Sequence, residues 1–170
     1  MAVTPRLPKV PPMSLTSEQL EAFVRELAAD PSCWQPHVDH DPERRTYALI
    51  HEDDEVNAWV LCWSRDHDTG FHDHDISTAA IAVLDGHVRE DRLRLAGEPA
   101  TNVIGPGRTF TLAPTAIHRV LHAGTGPAVT IHAYSPPLTR TGAYSVGAGG
   151  ELERVSLSYE EELRPEPALA

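Results

Sequence analysis

From residue 45 onward the chain is divided into short runs rich in Val, Ile, Leu, Thr and aromatic residues, interrupted by Gly, Pro or Asp at intervals of about eight to twelve residues. Runs of this kind predict strands near 45–51, 56–63, 78–84, 87–95, 108–112, 118–123, 128–134, 142–146 and 151–157. So many short strands cannot leave their edges open, so the chain is expected to close into an all-β sandwich or barrel. The stretch "LDGH" at 84–87 carries the Asp-Gly pair of a tight hairpin turn.

Ahead of the strands, "LTSEQLEAFVRELAADP" at 15–31 predicts one amphipathic helix. Thr16 can cap it, Gln19 completes a capping box, and Leu15 can pack onto Leu20. Leu20, Phe23, Val24 and Leu27 recur at helical spacing, and Pro31 marks the stop. The 170 residues suffice for one core. The expected organisation is an N-terminal arm over 1–13, a single domain over 14–157 that includes the helix, and an acidic tail over 158–170.

A formal charge of −11, with Lys9 the only lysine, excludes a polyanion as partner, because phosphate binding needs concentrated basic surface. Nucleic acid is therefore not expected. No run reaches the roughly 18 apolar residues of a membrane span, and prolines occupy the N-terminus where a secretory signal would be apolar, so the expected location is cytoplasmic. The two cysteines, Cys33 and Cys62, are too few for a disulfide framework, and Cys62 in "NAWVLCW" reads as a buried thiol.

The chemistry lies in the histidines. In "TGFHDHDISTAAIAVLDG", His72 and His74 are two apart, so on an extended backbone they share a face while Asp73 points away. Alone, such a pair is equally an ordinary polar strand end. Downstream, His118 enters a strand after the turn residues "GPG" and "AP", and "VTIHAYS" places Thr130, His132 and Tyr134 on one face between apolar Ile131 and Ala133. A polar triplet beside a further candidate ligand points to a cavity.

"HDHDISTAAIAVLDG" followed by "PTAIHRV" resembles the two metal motifs of a cupin, and "VLCW", "HDH", "HRV" and "IHAYSPP" together are similar to the thiol dioxygenase family, which contains cysteine dioxygenase and 3-mercaptopropionate dioxygenase. The similarity spans about residues 45–137. It implies a double-stranded β-helix, the cupin jelly-roll barrel, with a short helical segment before it. It also implies Fe(II) on His72, His74 and His118, and an outer chain of hydroxyl, imidazole and phenol at Thr130, His132 and Tyr134. The implied reaction joins a small-molecule thiol to both atoms of O2, giving a sulfinic acid. A neutral three-imidazole set leaves the metal's charge undiminished, which favours a bound thiolate.

Three departures from the family pattern follow from the same resemblance. The cysteine that crosslinks to the tyrosine in animal members falls at Ala79, so Tyr134 should be unmodified. The glutamate of the general cupin motif is missing near Thr78 and Ala79, leaving an all-histidine site. The arginine that clamps the substrate carboxylate falls about Tyr47, with Arg45 two residues earlier on the same face. An aromatic face suits a heterocycle or quaternary ammonium, so the substrate is either cysteine-like or a bulkier thiol such as ergothioneine. Tyr47, Arg45 and Trp63 are the candidate substrate contacts, and His122 stands where cupins often have asparagine. The competing readings are a cupin of other chemistry, such as a carbon-substrate dioxygenase or isomerase, and a metal- or ligand-binding cupin without turnover. The chain is expected as a monomer or homodimer.

Overall fold

The computed structural model describes residues 14–149 and 151–158. The expected arm at 1–13 and residues 159–170 of the expected tail lie outside the described residues. The helix forms as α1 (Ser17–Ala29), with Thr16 as N-cap and the Thr16–Gln19 capping box closed on both sides. Pro31 does more than stop it. Asp30 caps α1 and also receives the Ser32 N–H, so Pro31 becomes the first residue of a short α2 (Pro31–Trp34).

Eleven strands follow: β1 (Thr46–Glu52), β2 (Asn57–Trp63), β3 (Phe71–Asp73), β4 (Thr78–Asp85), β5 (His87–Arg92), β6 (Ala100–Ile104), β7 (Thr109–Leu112), β8 (His118–Ala123), β9 (Ala128–Ser135), β10 (Arg140–Val146) and β11 (Leu152–Ser158). They form two antiparallel sheets, one in the order β1-β2-β9-β4-β7 and one in the order β11-β10-β3-β8-β5-β6. The chain steps between the sheets repeatedly, which is the expected jelly-roll. Strands β3 and β6 were not among the runs read from sequence, and Ser158, placed in the tail, ends β11.

The two faces of the first sheet explain the unbroken burial of β2 and β9. On β2, Trp59, Leu61 and Trp63 alternate with Ala58, Val60 and Cys62. The first set joins Ala79, Ile81, Val83, Val120 and Tyr134 in the core between the sheets. Ala58 instead meets Leu20 and Val24 of α1, together with Ala80, Ala82, Ile131 and Ala133, in a second core behind the sheet. Leu15 packs into that cluster with Leu20, as the staple requires. With both faces covered, β2 and β4 read as nearly continuous apolar runs.

The "LDGH" turn is not a hairpin. β4 and β5 belong to different sheets, and Gly86 turns the chain from one to the other at φ +64. A side chain at Gly86 would meet the backbone of Pro127 and Ala128, so the position needs glycine for conformation and for space. No helix among the described residues is long and apolar enough to cross a membrane.

Candidate metal centre

His72, His74 and His118 meet between the sheets, all buried, with one ring nitrogen of each within 4.8 Å of the others. His72 lies on β3 directly across from His118 on β8, and His74 follows β3 where the chain leaves for β4. The His72 Nδ1 is 3.1 Å from the Gly70 carbonyl, an acceptor only, so Nδ1 holds the proton and Nε2 keeps its lone pair. His118 Nε2 and His74 Nε2 face each other at 3.4 Å. Burial pushes the His74 and His118 imidazoles well below their usual range, and the neighbouring rings add to the effect. Neutral imidazoles with converging lone pairs fit a divalent transition metal. Thr78 and Ala79, at the start of β4, supply no carboxylate to this group.

Asp73, between the two ligands in sequence, does point away, and it does so into a structural clamp. Its carboxylate accepts from Arg154 Nε and Nη2 (both 2.8 Å), Tyr144 OH (2.6 Å), Gly142 N (3.2 Å) and Asp75 N (2.9 Å). Burial raises its pKa, but the Arg154 and Tyr144 hydrogen bonds outweigh that and hold the carboxyl well below the usual carboxylate range. Arg154 lies across Gly142, where any β-carbon would meet the guanidinium. The β10–β11 hairpin is thereby fastened to the three-residue strand that carries His72 and leads into His74.

The triplet on β9 is brought to the same cavity. His132 places Nε2 3.0 Å from Thr130 Oγ1 and Nδ1 3.3 Å from Tyr134 OH. Trp63 Nε1 donates to Thr130 Oγ1 at 2.8 Å, and the Trp63 ring stacks on His132 at 6.1 Å between centroids. Burial, then Arg45 and His72, lower the His132 pKa to about 3, so this ring is neutral as well. Tyr134 lies against His74, 5.1 Å between ring centroids. Ala79 is the cross-strand neighbour of Tyr134, so no thiol stands beside the phenol.

The cavity is lined by Arg45, Trp59, Thr69, His72, Tyr134 and Thr141, with His74 and His132 completing the wall. It leaves about 20 Å³ for the centre of a water-sized molecule, on the order of one or two waters. Arg45 is 5% exposed, packs its guanidinium 5.2 Å over Trp63, and donates to the Asp68 carbonyl. Of the candidate substrate contacts, Arg45 reaches this lining. Tyr47 instead packs edge-on against Trp59 at 6.1 Å, one layer removed, and Trp63 stands behind His132. His122 is turned away altogether and bonds the Gly126 carbonyl of its own turn at 2.7 Å.

Two contributors escape a reading of the sequence. Thr141 is fully buried, lines the cavity, and its Oγ1 has no hydrogen-bond partner among the described residues. Glu90, 2% exposed, lies behind His118 with its Oε1 3.6 Å from His118 Nδ1. Thr141 in "TRTGAY" and Glu90 in "HVREDR" stand among polar residues, where spacing along one strand does not separate a buried side chain from an exposed one.

Comparison with known proteins agrees with this geometry. The sequence pattern of the family described as cysteine dioxygenase type I matches residues 14–146. Human cysteine dioxygenase type 1 is 24% identical over 152 residues, covering 84% of this chain and 76% of the human protein. The Danio rerio protein of the same name is 26% identical over 135 residues, covering 73% and 67%. Among solved structures, a Klebsiella pneumoniae protein with a double-stranded β-helix domain superposes with a TM-score of 0.54 at 13% identity, over 60% of this chain and 80% of that one. A cupin superfamily protein from Desulfitobacterium hafniense gives 0.51 at 10% identity, over 61% and 87%. These two establish the cupin fold, and the family match over most of the chain establishes more: the chain belongs to the cysteine dioxygenase type I family and is an oxidoreductase of the thiol dioxygenase kind.

Proposed function

We propose that this protein oxidises a small carboxylate-bearing thiol with O2 to its sulfinic acid, using Fe(II) held by His72, His74 and His118. The observation that carries the reading is the cluster of three buried imidazoles beside a small cavity that also receives one buried guanidinium and a tyrosine. Iron held by these residues would supply a cationic centre that favours thiolate over thiol; overall, RSH and O2 give RSO2H with both oxygen atoms on sulfur.

The chain's own residues arrange that encounter. Arg45, held flat over Trp63, takes the substrate carboxylate and fixes one end of the molecule. Trp63, Thr130 and His132 form a hydrogen-bonded series that fixes the Tyr134 hydroxyl. Tyr134 OH then donates to the bound substrate or to oxygen, and His132, neutral well below pH 7, orients the phenol without adding a charge. Leu138, bracketed by both atoms of the Asn57 amide, and Trp59 exclude water from the apolar wall.

The place of Arg45 in the cavity lining, which Tyr47 does not reach, supports a cysteine-like substrate over ergothioneine. The test is oxygen uptake by iron-loaded protein with cysteine, 3-mercaptopropionate, cysteamine and ergothioneine in turn. Uptake is expected with the first two and little with cysteamine, which lacks the carboxylate. Uptake with ergothioneine alone overturns the substrate assignment, and none with any thiol overturns the reaction.

A further inference from the structure

Each ligand imidazole must present a lone pair to the metal, which requires its other nitrogen to keep the proton. His72 achieves this through the Gly70 carbonyl. His118 is buried, its Nε2 faces His74, and its Nδ1 finds no hydrogen-bond partner within ordinary range. Directly behind that nitrogen is Glu90, a carboxylate in a position where acids are seldom found without a task.

The placement follows from the register of β5 and β8. Arg92 pairs with His118 and Glu90 with Val120, so Glu90 and Arg92 share the face on which His118 sits. Glu90 Oε1 accepts from Arg92 Nη2 at 2.8 Å and Nε at 3.1 Å, and stands 3.6 Å from His118 Nδ1. Closing that last gap needs a ring shift of well under 1 Å. The guanidinium of Arg92, bonded to the same oxygen, holds the carboxylate in place beside the ring.

We propose that Glu90 is a positioning residue for His118: its carboxylate accepts the Nδ1 proton, fixes the ring in that tautomer and aims Nε2 at the metal. Resting on the metal-site reading above, this makes β5, a strand that contributes no ligand, part of what sets metal affinity. An ion pair serving stability alone would leave the imidazole untouched.

Nitrogen-15 histidine spectra of metal-free protein, with cobalt(II) affinity measured by competition, separate the two. In the wild type, His118 should carry its proton on Nδ1. Glu90→Leu should give a mixture of tautomers and weaken cobalt binding about tenfold or more. Glu90→Gln, which restores an acceptor oxygen, should recover the tautomer and most of the affinity. A wild-type His118 protonated on Nε2 overturns the inference, and this reading needs no variant to fold. Unchanged tautomer and affinity in Glu90→Leu overturn it too. A wild-type chain that binds no cobalt overturns the metal site itself, a distinct failure.

Discussion

Replacing Asp73 by Asn removes one charge from the clamp behind the ligand strand while keeping its shape. The carboxylate receives five hydrogen bonds, two of them from Arg154. Breaking a well-buried ion pair costs about 3–5 kcal/mol, and the Arg154 side chain, 35% exposed, recovers part of that from water, so about 2–3 kcal/mol is expected. In urea, the midpoint should fall with little change in slope. The sign with pH is fixed by the depressed carboxyl: its contribution is complete above the unfolded value of about 3.9 and declines below it by up to about 1.4 kcal/mol per pH unit. The gap between wild type and variant should therefore be flat from about pH 7 to 5 and shrink below about pH 4. A gap under about 0.5 kcal/mol, the scatter typical of surface substitutions, or one that persists unchanged at about pH 3, refutes the clamp.

Metal-free protein should lose stability as pH falls below about 6.5, because His74, His118 and His132 bind protons readily only when unfolded. With three such groups the loss approaches about 4 kcal/mol per pH unit, read from denaturation at a series of pH values. Thr141→Val removes a buried hydroxyl that has no protein partner; stability should hold within about 0.5 kcal/mol or improve, while KM for a carboxylate thiol rises severalfold, measured by steady-state oxygen uptake. Gly86→Ala should cost about 2 kcal/mol or more in thermal or urea unfolding, since it combines φ +64 with a backbone collision at Ala128.

The helix, β2 and β4, and the clustering of three histidines were legible because each leaves a local mark: a capping box, an apolar run covered on both faces, and His-x-His with a distant partner. β3 was not, since Phe71–Asp73 is too short to show a period and is held by β8 and β10. β6 is an outer strand whose side chains are mostly exposed, so no alternation marks it. The turn at Gly86 carries hairpin chemistry in its residues, yet the sheet it leads into is a tertiary decision. Arg45 and Tyr47 share a side, as spacing requires, but depth differs: Arg45 precedes β1 and reaches the cavity, whereas Tyr47 is stopped by Trp59. Depth of insertion is set by neighbours from other strands, which spacing along one strand does not encode.

Turnover of iron-loaded protein with cysteine under ¹⁸O2, followed by mass analysis of the product, shows whether one thiol sulfur receives both atoms of a single O2 at the three-histidine site. The expected product is a sulfinate carrying two labelled atoms, abolished when His118 is replaced by alanine. A disulfide, or a sulfinate with one labelled atom and one from water, contradicts the dioxygenase reaction.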